Sequence, residues 1–292
     1  MTLAILAQQI ISGLATGSLY ALAALGLVLI FKTSDVVNFA QGEMAMFGTF
    51  IAFTLMMKGG VPYWGAFVLA LIFAAVFGML IERIVIRPLS AAPLISVLIA
   101  TLGLLNIING VAGWIWGYDP KPFPTGLSGA PIRVGGLVFT LPTLLNLAVA
   151  LALMLAFFAL FKYSLMGIAM RAVAENRLAA RLVGVRTNRV LAITWGLGGI
   201  LAATAGILIA PVTTLNINMM AEMQVKAFTA GVLGGFTSLP GAVVGGLLLG
   251  VLENLVGQFV PQLKTPFAFA LIVLVLIFRP AGLLGTVQRK KV

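Results

Sequence analysis

The sequence contains no cysteine and no histidine, and only seven of its 292 residues are acidic. Without cysteine the chain has no disulfides and no thiol chemistry. Without histidine it lacks the commonest metal ligand and the usual proton carrier near neutral pH. These absences argue against a metalloenzyme and against a histidine-based hydrolase, so we expect no metal site and no catalytic residues.

Charge of either sign is scarce, because 9% of the residues are charged while 61% are hydrophobic. The mean hydropathy is +1.15, and a soluble protein of this composition could not cover its surface with polar groups. The chain is therefore of the membrane class, with repeated apolar runs of roughly 20 residues that can each cross a bilayer as a helix. The net charge of +11 falls mainly in short loops, which indicates a topological signal and not a nucleic-acid-binding surface.

The apolar runs predict an all-α fold with eight or nine membrane elements, including short or broken helices, in a single domain over residues 1–292. Residues 225–237 are too short to cross alone, and they either cross fully or form half of a re-entrant pair. Pro211 is expected to end the sixth span. The spans are predicted at residues 8–31, 38–57, 63–86, 94–116, 141–161, 190–209, 242–259 and 266–278.

The basic residues predict the orientation of the chain. No basic residue precedes Lys32, so the start is a poor signal peptide and the amino terminus is expected in the periplasm. Residues 117–140 are rich in proline and glycine, which rules out a continuous helix, and with only Lys121 and Arg133 as basic residues they fit an external loop. The carboxyl terminus is expected in the cytoplasm because it carries Arg279, Arg289, Lys290 and Lys291.

A basic segment over residues 162–189 holds six of the eighteen lysines and arginines, with Glu175 as its only acid. Its pattern predicts a short helix over residues 167–183 that Gly184 ends. In one interpretation the segment is an ordinary cytoplasmic loop whose charges fix orientation and touch lipid head groups. In the other it is a docking helix, whose apolar side chains enter a partner's groove while the charges at the rim set the register.

Polar residues also stand at the start of the second span, where Asn38, Gln41 and Glu43 surround Gly42. Polar groups at membrane depth are costly unless they face protein or water, so these residues are functional candidates. In one interpretation Asn38 caps the helix, and Glu43 lies near water or pairs with a base. In the other, the end of a broken helix borders a translocation route.

A second candidate is the run GGFTSLPGAVVGG, which contains Gly234, Gly235, Pro240 and Gly241. The glycines allow helix backbones to approach closely, and Pro240 is expected to break the helix. Close helix packing and pore lining both remain open as explanations, and both can hold together.

Three motifs carry a resemblance to a known family. The run AARLVG, with Ala179, Ala180 and Gly184, resembles the Ala-Ala-three-residues-Gly core of the coupling helix in ATP-binding cassette (ABC) importer permeases, although Leu178 stands where Glu is usual. The runs from Gly13 to Phe50 and from Gly231 to Leu255 resemble the two signatures of the H-type permease subunit of high-affinity branched-chain amino-acid importers. That inner-membrane permease family is shared with urea, amide and ribose importers. Gln41 replaces the histidine that relatives often have before the Gly-Glu pair.

The resemblance implies a transport subunit of the bacterial inner membrane and not an enzyme. Its implied partners are a homologous second permease, two cytoplasmic ATPase subunits, a periplasmic amino-acid-binding protein and membrane lipid, with no nucleic acid. It implies no cofactor of its own, because the partner subunits bind ATP and the chain has no phosphate-binding loop of the Gly-rich Lys-Ser/Thr type. The substrates implied are leucine, isoleucine and valine, with urea or short amides as the alternative.

The interpretations of the basic segment, the polar residues and the glycine-rich run, together with the resemblance, give the candidate site residues. Residues expected to couple to the ATPase are Arg171, Glu175, Arg177, Ala179, Ala180, Arg181 and Gly184. Candidates for the translocation pathway are Asn38, Gln41, Gly42, Glu43, Gly234, Gly235, Pro240 and Gly241.

Two rival classes remain. A self-sufficient secondary transporter or channel would need acids within the membrane for ion coupling or selectivity, and the candidates reduce to Glu43, Glu82 and Glu253. An integral-membrane enzyme would need a nucleophile with a base or a metal cluster, and none can be assembled from this sequence.

Overall fold

The computed structural model describes residues 3–124, 132–134 and 137–285, and this part of the chain is almost entirely helical. A short antiparallel hairpin pairs β1 (Ile132–Val134) with β2 (Leu137–Phe139). The helices are α1 (Leu3–Ser34), α2 (Gln41–Met57), α3 (Tyr63–Ile81), α4 (Leu94–Trp116), α5 (Leu141–Tyr163), α6 (Leu165–Glu175), α7 (Arg177–Leu182), α8 (Thr187–Thr213), α9 (Ala221–Gly234), α10 (Leu239–Phe259) and α11 (Lys264–Phe278). A π-helical turn, Glu82–Ile86, extends α3, and a 3-10 turn, Pro261–Leu263, precedes α11.

Seven helical stretches in the described residues are long and apolar enough to cross a membrane. This confirms a polytopic helical architecture. The predicted count of eight or nine membrane elements stays a prediction, because α2, with 17 residues, and α9, with 14, are shorter than these seven stretches. The seven stretches are Ile5–Ser34, Tyr63–Ile86, Leu94–Trp116, Leu141–Tyr163, Thr187–Thr213, Leu239–Phe259 and Pro261–Phe278.

The loop over residues 117–140, which the sequence predicts to be external, has no helix over its described residues 117–124, 132–134 and 137–140, as its prolines and glycines predict. Residues 125–131 and 135–136 of the loop lie outside the described part. The same holds for Arg289, Lys290 and Lys291, which contributed to the predicted cytoplasmic carboxyl terminus.

Two prolines do not act as the sequence suggests. Pro211 lies inside α8, which continues to Thr213 and ends where Thr214 adopts a positive φ of 64°. A membrane helix tolerates an internal proline when neighbouring groups satisfy the freed backbone carbonyl. Pro240 does not break a helix but lies in the first turn of α10, where its missing N–H would have no intrahelical partner in any case.

The chain divides into two compact units that interleave along the sequence. The first unit comprises Met1–Val28, Leu127–Leu151 and Val225–Val292, and the second comprises Leu29–Gly126 and Ala152–Gln224. The single-domain assignment remains a prediction.

In the second unit, α8 packs against both α2 and α3. Small residues make this packing close. A Cβ placed on Gly199 would lie 2.5 Å from the carbonyl oxygen of Ala74, and one on Gly48 would lie 2.9 Å from the Cβ of Ala203. Small-residue contacts of this kind drive helix association in membranes, where lipid supplies no hydrophobic force between helices.

In the first unit, α10 packs against α1 by the same means. A Cβ on Gly13 would lie 2.6 Å from the Cα of Val251, and one on Gly17 would lie 2.8 Å from the carbonyl oxygen of Gly246. A larger residue at either glycine would therefore push the two helices apart.

Candidate functional site

The predicted helix over residues 167–183 is in fact two helices, α6 and α7, separated at Asn176. The backbone of Asn176 is extended, with φ −157° and ψ 107°, and its side chain accepts a hydrogen bond from the N–H of Ala179 at 2.9 Å. Asn is among the best N-cap residues because its side chain satisfies a free N–H of the first turn. The single-helix prediction was wrong because this local hydrogen bond competes with helix continuation.

Gly184 ends α7, as the sequence predicts. Its φ of +88° is in the left-handed region that favours glycine. The N–H of Val185 donates to the carbonyl of Ala180 at 2.9 Å, and the N–H of Gly184 donates to that of Arg181 at 3.0 Å. These two bonds form a Schellman motif, which gives the Ala180-to-Gly184 spacing a local structural reason.

Two of the predicted coupling arginines hold the α6–α7 segment against membrane helices. Arg171 donates from Nη1 to the carbonyl of Phe161 near the carboxyl end of α5, where a cation also complements the helix dipole. Arg177 donates from Nη2 to the carbonyl of Thr33 at the end of α1, at 3.2 Å. Both arginines therefore position the segment and are not simply solvated.

The remaining coupling candidates divide between inner and outer faces. Arg181 donates from Nε to the hydroxyl of Thr187, the first residue of α8, at 2.9 Å. Ala180 is buried, whereas Glu175 and Ala179 are exposed. The structure thus brings the predicted residues together on one short segment, with the arginines turned toward three helix ends.

Three apolar residues of α7 and of the position directly after it are exposed in the described structure. Leu178, Leu182 and Val183 are 69%, 81% and 79% exposed, and we call them the α7 patch. They were not among the predicted coupling residues. A contiguous exposed apolar patch with charges beside it marks an interaction site, because its burial on a partner removes apolar surface from water.

The polar residues at the start of α2 are buried. Asn38 does not cap α2, since Ala40 occupies the N-cap without a side-chain bond, and the Oδ1 of Asn38 accepts from the N–H of Ala40 at 3.1 Å. Glu43 accepts from the Nδ2 of Asn109 at 3.1 Å, so its described partner is an amide and not a base. The capping interpretation was therefore wrong. Gln41, also buried, lies in the same turn.

Sequence reasoning missed two members of this polar cluster. Asn109 in α4 donates both to Glu43 and, at 3.1 Å, to the carbonyl of Ile217. Gln224 in α9 donates to the carbonyl of Asn38 at 3.4 Å. A search for amides inside apolar spans would have found Asn109, because such residues are functional candidates by default.

Gly42 packs closely against Gln224, since a Cβ added to Gly42 would lie 3.2 Å from the Cβ of Gln224. A larger side chain at this position would displace Gln224 from the polar cluster. The absence of a side chain at Gly42 is therefore part of the cluster's geometry.

The second pathway candidate lies where α9 meets α10. A side chain on Gly234 or on Gly241 would run into the backbone of the other residue, so these glycines serve close helix packing. Gly235 has a φ of +103°, and Ser238 caps α10 by accepting from the N–H of Gly241 at 3.1 Å. Pro240 follows in the first turn. This geometry favours packing over pore lining for Gly234 and Gly241.

Two of the three acids that a secondary transporter would need are held in ion pairs. Glu82 is buried and contacts Arg87 at 2.6 Å, and this hydrogen bond raises the pKa of Arg87 above its ordinary value. Glu253 is buried and contacts Lys226 at 2.7 Å. Among the described residues, no group of three His, Cys, Asp or Glu side chains could hold a metal ion.

The chain is similar to known transport proteins along most of its length. The family described as the permease component of branched-chain amino acid transport systems matches residues 9–277. The high-affinity branched-chain amino acid transport system permease protein LivH of Salmonella typhimurium is 36% identical, with 98% of this chain and 97% of that protein aligned. The corresponding protein BraD of Pseudomonas aeruginosa is also 36% identical, with the same coverage.

One solved structure, PsaBC from Streptococcus pneumoniae in complex with Fab, resembles the chain with a TM-score of 0.50 and 14% identity. The alignment covers 92% of this chain and 91% of that one. At this identity the likeness concerns the fold alone.

Proposed function

The chain belongs to the family of branched-chain amino acid transport system permease components, and on that premise we propose that it forms the translocation route of an ABC importer for leucine, isoleucine and valine. The observation that carries the proposal is the match, along almost the full length of both chains, to permease proteins named for high-affinity transport of these amino acids. These relatives are transport proteins and not enzymes. The seven long apolar helices make the chain a multi-pass membrane protein, which we place in the bacterial inner membrane.

The chain binds no ATP and needs no cofactor of its own in this proposal. Two cytoplasmic ATPase subunits bind the nucleotide, a second permease subunit completes the route, and a periplasmic binding protein delivers the amino acid. The α7 patch supports the contact with an ATPase, since three exposed apolar side chains beside arginines suit the centre and rim of a protein interface.

Coupling follows from how the segment is held. Arg177 joins α7 to the end of α1, Arg171 joins α6 to the end of α5, and Arg181 joins α7 to the start of α8. A movement of α7 driven by ATPase closure would therefore pull on three membrane helices at once. The helices then rock to open the route first outward and then inward.

The polar cluster of Asn38, Gln41, Glu43, Asn109 and Gln224 is our candidate for the part of the route that meets the charged ends of an amino acid. Buried dipoles at membrane depth can offset the cost of moving a zwitterion through an apolar region. The glycines 42, 234, 235 and 241, with Pro240, shape the helix contacts beside such a route.

We further propose that α2 and α9 cross the membrane together with the seven longer stretches. Nine crossings place the amino terminus in the periplasm and the carboxyl terminus in the cytoplasm. This count also puts the basic α6–α7 segment on the cytoplasmic side, in agreement with the excess of lysine and arginine there.

The rival secondary transporter is less well supported, because Glu82 and Glu253 are already neutralised by Arg87 and Lys226. An acid engaged in a buried ion pair is poorly suited to bind and release a coupling ion. A transport measurement with each substrate distinguishes this proposal from the alternative, a permease for urea or short amides in the same family.

The test is reconstitution of the full chain with its second permease, ATPase subunits and binding protein in liposomes. We expect uptake of labelled leucine that requires ATP and is competed by isoleucine and valine but not by urea.

Val183→Asp should weaken ATPase binding by about tenfold or more, as expected when a charge enters the buried centre of an interface.

Val212→Asp is the matched control, since Val212 is a valine of similar exposure, 70% against 79%, at the far end of α8. It should leave ATPase binding unchanged. Leucine uptake driven by an ion gradient without the ATPase subunits would refute the importer proposal, and transport of urea would favour the alternative substrate.

A further inference from the structure

A groove of 570 Å³ lies between the end of α3 and the start of α8, and four arginines line it. They are Arg83, Arg87, Arg186 and Arg189, and no carboxylate lines the groove with them. Glu82 neutralises Arg87. Within the described residues the other three arginines form no ion pair, so the groove carries an uncompensated positive charge.

The apolar part of the groove lining includes exposed residues of α3, which lie on the same side of the helix as Arg83. Val76 and Leu80 line it and are exposed. The exposed face continues along α3 at every fourth residue, through Ile72, Val68 and Trp64. Residues four apart share one side of a helix, so an apolar stripe runs from the groove along a helix long enough to span the bilayer.

We propose that this groove is a binding site for an anionic phospholipid. The phosphate lies among Arg83, Arg186 and Arg189, and the acyl chains follow the α3 stripe into the bilayer. Guanidinium groups suit this ligand because their planar donors bind phosphate oxygens in pairs, and basic pockets between membrane helices on the cytoplasmic side are typical sites for anionic head groups.

Two features favour a lipid over the other anionic or acidic partners of this side of the membrane. A free phosphate ion would gain nothing from an apolar wall that continues along a spanning helix. The α7 patch, which we assign to the contact with an ATPase, shares no residue with the lining of this groove. The inference rests on the cytoplasmic placement of the end of α3 in the proposed function.

The bound lipid would have a structural consequence. Arg186 directly precedes α8 and lies two residues after Gly184, which terminates α7. Arg83 lies in the π-helical turn that extends α3. A phosphate bridging these residues would tie the joint between α7 and α8 to α3. The lipid thereby stiffens the segment through which α7 moves the membrane helices.

The experiment is native mass spectrometry of the purified full chain in detergent, titrated separately with phosphatidylglycerol and with phosphatidylcholine. We expect preferential binding of phosphatidylglycerol. The variant R83Q/R186Q/R189Q should bind phosphatidylglycerol weaker by on the order of 100-fold, because each arginine near an anionic surface contributes about a factor of five.

R83K/R186K/R189K keeps the charge and should retain most of the binding. Arg279→Gln is the matched control, because Arg279 is an exposed arginine at the end of a span outside the groove, and it should bind lipid as the unmodified chain does. The thermal unfolding midpoint of each variant, measured in the same detergent, shows that the fold is intact.

Equal binding of the two lipids, or undiminished phosphatidylglycerol binding by the triple glutamine variant, overturns the proposal. A triple variant that keeps its lipid but no longer binds the ATPase subunits assigns the groove to the ATPase, which also overturns it. Neither result bears on leucine uptake by the reconstituted importer, so failure of this inference is distinguishable from failure of the proposed function.

Discussion

At the scale of single residues, Lys226 and Glu253 illustrate how this chain places charge within apolar helices. The Nζ of Lys226 lies 2.7 Å from Oε1 of Glu253 and 5.4 Å from the ring centroid of Tyr20. Both charged residues are buried. Charged side chains inside a membrane protein are tolerated when they pair with one another, so a residue that the sequence marks as a candidate for ion coupling is instead a structural partner.

Lys226→Met should lower the stability of the protein, because it leaves the Glu253 carboxylate buried without its cation. Breaking such a pair from one side costs about 3–5 kcal/mol. The double variant K226M/E253L removes both charges and should recover most of the loss. The thermal unfolding midpoint in detergent measures both effects.

Lys58→Met serves as the control for this comparison, since Lys58 is exposed at the end of α2, and its midpoint should not move. A double variant as unstable as Lys226→Met alone would show that the cost comes from lost packing and not from the unpaired carboxylate.

At the scale of elements, α7 depends on its ends. It has only six residues, and so short a helix is marginal without external support. Asn176 caps its start, the Schellman bonds of Gly184 close its end, and Arg177 and Arg181 attach it to α1 and α8. The sequence pattern identifies this segment as helical, but the break at Asn176 sets the direction in which the α7 patch points.

Asn176→Ala should weaken the binding of the ATPase subunits by about fivefold, the factor that corresponds to the roughly 1 kcal/mol value of an N-cap. Asn176→Asp keeps a side-chain oxygen for the N–H of Ala179 and should bind as the unmodified chain does. Binding of purified ATPase subunits to the chain in nanodiscs measures the difference. If alanine and aspartate behave alike, the cap does not orient the patch.

At the scale of the whole molecule, each of the two units contains helices joined by small residues. Gly199 and Gly48 serve this purpose in the second unit, as Gly13 and Gly17 do in the first. The short helix α9 belongs mainly to the first unit, and whether it crosses the membrane decides on which side the carboxyl terminus lies.

The absence of native cysteine makes this topology directly measurable. Single cysteines at Lys58 and Tyr118 should react with a membrane-impermeant maleimide in intact spheroplasts. Cysteines at Lys162 and Arg279 should react only after the membrane is permeabilised, because the nine crossings that we propose place both in the cytoplasm. Labelling of the Arg279 position from outside would mean that α9 does not cross.

The sequence by itself determined the membrane class, the helical fold and the positions of most spans. The prediction of residues 94–116 coincides with α4, Leu94–Trp116, and that of residues 63–86 coincides with α3 and its π-helical extension. These spans were predictable because the thickness of the bilayer fixes the length of a spanning helix at about 20 residues. A run of apolar residues of that length is visible in the local sequence. The end of α7 at Gly184 was also predictable, because left-handed backbone favours glycine.

Only the tertiary structure decided which polar groups meet. Glu43 and Asn109 are 66 residues apart, and Gln224 follows Asn38 by 186, yet helix packing joins them in one buried cluster. The same packing pairs Lys226 with Glu253 and places Arg83 beside Arg186 in one groove. Such contacts depend on which helices approach closely and on which faces they present, and neither is encoded in any local run of hydrophobicity.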